Sequence, residues 1–240
     1  MKTALFFIFI LLYYYDGYCQ GKIYNFNSFS VKIENNTLQE FDNNNKVILD
    51  KKFNDPSDYT ADLDGDGVNE YLVVDITKQV HGNFFTLYIF NTIDSFYVAD
   101  SIPSGYLEPY QAASEEAGGT IIVTGNPKFD SLNTDTSESF IPINCWKYEN
   151  GEVFLVNDEV YNVFISENDT LLDIIDSYYS ENSDDCTSTN KIKAAIAAAY
   201  ANYLSAGDKI LAAQFLKKYY HCTDTETFKQ NINKLLKGTL

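Results

Sequence analysis

With 240 residues, the chain is long enough for one large domain or two small ones. A hydrophobic content of 45% excludes general disorder, and 15% aromatics suits pleated β surfaces. The net charge of −17 argues against nucleic acid and anionic membranes as partners, and the lack of arginine removes bidentate clamps for phosphate or carboxylate.

The N-terminus reads as a secretory signal. Lys2 supplies its positive end, and residues 4–12 form an apolar core too short to span a bilayer. Gly17-Tyr18-Cys19 has small residues where a signal peptidase reads, so residues 1–19 are expected to leave and Gln20 to begin the mature chain. The rival is lipidation of Cys19, against which Tyr18 argues, since a lipobox wants a small residue there. Cleavage removes Lys2 and Asp16, one charge of each sign, and leaves −17. No other apolar run is long enough to cross a membrane. The expected product is a secreted or periplasmic bacterial protein with no membrane insertion.

Residues 22–53 read as three or four short strands. Phe29-Ser30-Val31-Lys32-Ile33 alternates apolar and polar, and Asn35-Asn36 and residues 42–45 are turns, because Asn and Asp tolerate left-handed backbone. Asn35-Asn36-Thr37 and Asn168-Asp169-Thr170 match the short N-glycosylation pattern.

The strongest signal lies at residues 61–74, Ala-Asp-Leu-Asp-Gly-Asp-Gly-Val-Asn-Glu-Tyr-Leu-Val-Val. Asp62, Asp64 and Asp66 alternate, so a tightly turning backbone can bring them inward, and Gly65 and Gly67 allow the positive φ that such a turn needs. Glu70 adds a fourth carboxylate and Val68 a carbonyl. Hard oxygen donors at this density point to calcium. An EF-hand is rejected: with Asp62 as first ligand, the twelfth position is Val73 rather than Glu, and an apolar strand follows instead of a helix.

The loop and strand resemble the FG-GAP or VCBS repeat, the blade unit of integrin-α-type β-propellers, whose pattern is D-x-D-x-D-G-x-x-D before an apolar strand. Asp62, Asp64, Asp66 and Gly67 match, and Glu70 stands where the family has Asp. The resemblance implies one calcium held by the side chains of Asp62, Asp64, Asp66 and Glu70 and by the Val68 carbonyl.

Residues 84–90 and 96–99 read as a hairpin. Residues 112–123 faintly echo the calcium loop and its strand with the aspartates lost. Residues 140–148 and 152–156 then form a second hairpin joined by Asn150-Gly151, a strong turn signal. Loop, apolar strand and hairpin thus occur twice, with residues 126–139 expected as a flexible loop. Two or three blades are too few for a closed propeller. The expected fold is therefore mainly β, with open or sandwich-like antiparallel sheets, followed by a small helical region. The division is 20–183 for the β domain, with its calcium loop at 62–70, and 184–240 for the helices.

In the helical region Ile192, Ile196 and Tyr200 recur at helical spacing and Gly207 ends the first helix. Ile210 to Leu216 marks a second, and Thr223-Asp224-Thr225-Glu226 reads as a capping box opening a third. Cys186 and Cys222 flank these helices as a candidate disulfide, with Cys145 left as a buried thiol.

His81 and His221 are the only side chains with an ordinary pKa near neutrality, and no catalytic motif surrounds either. Two readings remain: a non-enzymatic binding or scaffold module with a structural calcium and a protein or glycan partner, and a secreted hydrolase using an unidentified pair of carboxylates about 5–10 Å apart.

Overall fold

The computed structural model describes residues 22–80, 82–93, 95–132, 140–181 and 190–237. The signal segment with Cys19 and Gln20, His81, and Cys186 with its pairing to Cys222 lie outside them. The chain divides into two compact units, Met1–Lys52 and Phe53–Leu240.

The first unit is an antiparallel meander of β1 (Ile23–Asn25), β2 (Phe29–Glu34), β3 (Thr37–Asp42) and β4 (Val47–Lys52), paired in chain order. Asn35 and Asn36 both take positive φ, the primed geometry that a tight hairpin needs. Asp42 Oδ1 accepts the amides of Asn44 and Lys46, each at 2.8 Å, and closes the next turn. Phe29 and Val31 are buried and Ser30 between them is not, which is the alternation of a half-buried strand.

The second unit begins with the sheet β5 (Pro56–Ala61), β6 (Glu70–Gln79), β7 (Gly82–Asn91) and β8 (Tyr97–Gly105), again paired in chain order. A second sheet repeats that order with β9 (Tyr110–Ser114), β10 (Gly119–Gly125), β11 (Ile143–Glu149) and β12 (Glu152–Leu155). Asn150 and Gly151 turn β11 into β12 with positive φ at both residues. All three sheets are antiparallel and open. The echo of the loop is imperfect, because β5 meets β6 through residues 62–69 whereas β9 meets β10 through the short turn 115–118.

Period-2 alternation builds the layers of this unit. Ile122 and Tyr148 leave the second sheet on one face and join Leu72, Val74, Leu87 and Ile89 of the first. Ile121, Val123, Ile143 and Cys145 leave it on the other and pack on Val160 and Phe164. Strand β10 is covered on both sides, which explains its continuous apolar run.

The helices are α1 (Tyr161–Glu181), α2 (Asn190–Ser205), α3 (Lys209–Tyr219) and α4 (Thr225–Leu236). The helical region thus starts well before residue 184. The stripe Phe164, Asn168, Ile175 on α1 escapes detection because its middle member is polar. Asn168 is buried, donates to Ala199 O at 3.1 Å and accepts from Asn202 Nδ2 at 3.0 Å. Burial also closes the glycosylation pattern at Asn168. Asn202 Oδ1 takes the Ile143 amide at 3.0 Å, tying α2 to the start of β11. Helix α2 is buried nearly all round because its alanines let neighbours approach. Gly207, at φ 80°, ends it, with Asp208 N donating to Tyr203 O.

Two local expectations are corrected. Residues 126–132 are not a flexible loop: Asn126 is buried and Pro127–Leu132 forms a 3-10 helix around buried Phe129, while 133–139 lie outside the described residues. The capping box at Thr223 does not form, since the N-cap of α4 is Asp224, whose carboxylate instead accepts from Tyr220 Oη at 2.9 Å. No helix among the described residues is long and apolar enough to cross a membrane.

Candidate metal centre

The acidic loop is the connection of a hairpin whose last pair is Ala61 and Glu70. Gly65 and Gly67 take φ of 78° and 88°, and a Cβ on either would meet nothing, so backbone conformation alone demands glycine there. The aspartates organise the turn. Asp62 accepts the Gly65 amide at 2.8 Å on one oxygen and the Gly67 amide at 3.0 Å on the other. Asp64 Oδ1 accepts from Asp66 N at 3.3 Å, and Asp66 Oδ1 accepts from Val68 N at 2.7 Å. A carboxylate oxygen that accepts one amide keeps a second lone pair, so these bonds shape the loop without using up its donors.

Glu70 differs from the aspartates. It is the first residue of β6 and is fully buried. Its Oε2 accepts the Leu63 amide at 2.9 Å, while its Oε1 has no hydrogen-bond partner. Burial foremost, and the charges of Asp64 and Asp66 after it, push this carboxyl up to about 7 against the pull of the Leu63 amide. An orphaned carboxylate oxygen in an interior is costly, and a bound cation is one kind of partner that could satisfy it.

Oxygen atoms of Asp62, Asp64 and Glu70 lie within 4.8 Å of one another. Oxygens bound to one ion at about 2.3–2.6 Å lie no more than about 5 Å apart, so a single cation can touch all three. The three carboxylates therefore form a group that could hold a metal ion. Asp66 is not in this group, and Val68 enters the loop's bonding through its amide.

Two anchors hold the loop that the acidic pattern does not announce. Leu63, the one apolar residue among the aspartates, is buried in the core shared by the two sheets. Its isolation in an acidic run was the available signal. Thr92 Oγ1 donates to Asn69 O at 2.6 Å and fixes the loop's exit to the end of β7. Nearby, Asn91 Nδ2 donates to Tyr148 Oη at 3.0 Å, bridging the two sheets. Burial foremost, then the charges of Glu70 and Asp64, raise the Tyr148 phenol well above its ordinary range and keep it neutral.

Elsewhere Cys145 is a free, buried thiol, pushed up to about 12 by burial and by Glu167 on α1. A thiol so protonated is a packing group rather than a nucleophile. Tyr110 Oη donates to that same Glu167. His221 is exposed on the α3–α4 connection, far along the chain from the acidic loop.

Comparison with protein families, with curated proteins and with solved structures finds no match to this chain.

Proposed function

We propose that the chain is an exported calcium-binding protein, a non-enzymatic binding or scaffold module for a protein or glycan partner, in which one structural Ca2+ sits in the loop 62–70. The observation that carries this is the fully buried Glu70 with one unpartnered oxygen beside Asp62 and Asp64. A divalent cation would satisfy that oxygen and neutralise the carboxylates that repel one another. Asp66 and the Val68 carbonyl would complete the shell, as the resemblance to FG-GAP and VCBS loops implies. Calcium is preferred over magnesium because a loop of mixed, unevenly spaced oxygens suits a large flexible shell better than a small octahedral one.

A structural rather than catalytic ion is supported by the anchoring of the loop. Leu63 packs into the core between two sheets and its amide is bonded to Glu70 at the start of β6, so the ion would hold strands together. The short apolar leader supports export, and calcium outside the cell is abundant enough for a weak site. Calorimetry on the mature protein tests the metal directly. One calcium should bind wild type, binding should be lost in Asp64→Ala, and magnesium should bind far more weakly. Absence of any calcium heat, together with identical melting in chelator and in millimolar calcium, would overturn the proposal.

A further inference from the structure

We propose that the cavity between the end of α3 and the first half of α4 binds a small organic anion, independently of the metal loop. The cavity measures about 380 Å³. Its lining combines Lys217, His221, Lys229 and Thr225 with the apolar surface of Ala213, Leu216 and Tyr220. The chain carries 34 acidic residues against 17 lysines, yet no carboxylate lines this cavity among the described residues.

Two acids at the start of α4, Asp224 and Glu226, are already engaged. Glu226 Oε1 pairs with Lys229 Nζ at 2.8 Å, so Lys229 enters the lining with its charge already shared and Lys217 is the lysine of the lining that has no acidic partner among the described residues. Asp224 accepts from Tyr220 Oη on one oxygen and faces Lys193 Nζ at 3.6 Å with the other. Lys217 and His221 form no ion pair or hydrogen bond among the described residues. The position of Lys217 in the last turn of α3 complements the helix dipole, but that role does not require the concave surface in front of it.

The global charge does not forbid an anion here. At physiological salt, charges farther away than about 8 Å are largely screened, so the local cations decide. Lysine is a point charge without the planar fork of arginine, which suits either a phosphate or a carboxylate head. The volume exceeds what an oxyanion alone needs, since a single water takes only about 10–15 Å³ of such space, and leaves room for an organic body against Ala213 and Leu216. Tyr220, stacked on Phe228 with ring centroids 4.2 Å apart, is a rigid part of that wall.

The chain has two histidines, so the His221 imidazole signals can be followed by NMR in the whole mature protein, assigned with His81→Gln. Inorganic phosphate, phenyl phosphate and benzoate are titrated in turn, in calcium and again in chelator. The expected result is a saturating shift of His221 with an unmoved His81, the same in both conditions, and at least tenfold tighter for one aromatic probe than for inorganic phosphate. Preference for phenyl phosphate assigns a phosphate head, and preference for benzoate a carboxylate head. Lys217→Gln with Lys229→Gln should weaken binding at least tenfold, whereas the charge-matched Lys209→Gln with Lys237→Gln should not. Should the first pair fail to fold by circular dichroism, Lys217→Gln alone, at an exposed position, carries the test. A shift that never saturates, or one that saturates equally in the lining variants, would overturn the proposal.

Discussion

Glu70 and Leu63 are joined across the acidic loop by one hydrogen bond, the Leu63 amide donating to Glu70 Oε2 at 2.9 Å. The bond links the first residue of an inner strand to the buried apolar anchor of the loop. Leu63 belongs to the core cluster that joins Leu72 of the first sheet to Ile122 and Tyr148 of the second. Whatever satisfies the other oxygen of Glu70 therefore acts on the joint between the two sheets.

Replacing Glu70 separates charge from shape. Glu70→Gln keeps an acceptor for the Leu63 amide and removes the buried negative charge. Without calcium at pH 8, this variant should melt no lower than wild type, because an unpaired buried carboxylate is itself destabilising. With millimolar calcium the order should reverse, since wild type gains about 2.7 kcal/mol at a hundred times its dissociation constant. Thermal melts of both proteins in chelator and in calcium decide it. A Glu70→Gln protein that responds to calcium like wild type would remove Glu70 from the site.

The pH dependence follows from the same group. Its folded pKa, about 7, lies above the ordinary 4.5, so the folded calcium-free protein binds the extra proton between those values. Glu70's contribution is thus fully present below about 4.5 and is lost as pH rises through about 7. Asp130, raised to about 6 by burial, adds a slope of the same sign that calcium does not touch. Calcium needs Glu70 ionised, so its apparent affinity should fall as pH drops through about 7. Melting in chelator and in calcium at pH 5.0 and 8.0 reads both effects, with the calcium increment expected to be larger at pH 8. An increment equal at the two values would show that Glu70 does not change ionisation when calcium binds.

Much of the site was legible because its chemistry is dense in sequence. Asp62, Asp64, Gly65 and Gly67 act within a few residues of one another, and their spacing alone implies the turn. The burial of Glu70 was not legible, since it depends on strands that arrive later in the chain. The hairpins were legible from the short connection between residues 84–90 and 96–99 and from Asn150-Gly151. Helix α1 was hidden by Asn168, a polar residue inside its apolar stripe whose partners, Ala199 and Asn202, lie on another helix. Pattern reading treats a buried asparagine as a surface one, because only tertiary contacts satisfy it.

Those asparagines carry the next prediction. Asn202 accepts the Ile143 amide and donates to Asn168, all three groups being buried. Asn202→Ala should leave the Ile143 amide and the Asn168 carbonyl unpaired, at about 1–3 kcal/mol for each group. Asn168→Ala, which leaves the Ile143 bond intact, should cost less. Urea denaturation with an unchanged slope would measure both. Equal losses would mean that the bond to β11 contributes little beyond the helix pair.

Cys145 provides the last prediction, because it reports when the second sheet opens. Its side chain is 0% exposed, and burial and Glu167 hold the thiol up near 12, so the folded chain should resist alkylation. Non-reducing peptide mapping should find Cys145 as a thiol and Cys186 joined to Cys222, a pairing that in the chain-entropy model contributes up to about 4 kcal/mol. Alkylation of Cys145 then requires the sheet β9–β12 to separate from α1 and unfold. If calcium locks the two sheets through Leu63 and Tyr148, a hundredfold excess over its dissociation constant should slow alkylation about a hundredfold when opening is global and reclosing is fast. The measurement is the rate of Cys145 labelling at pH 8 in chelator and in calcium. Slowing in wild type that vanishes in Asp64→Ala would connect the loop to the sheet joint. Equal rates in wild type with and without calcium, from a protein shown by calorimetry to bind the ion, would mean that the loop orders itself without stabilising the sheet behind it.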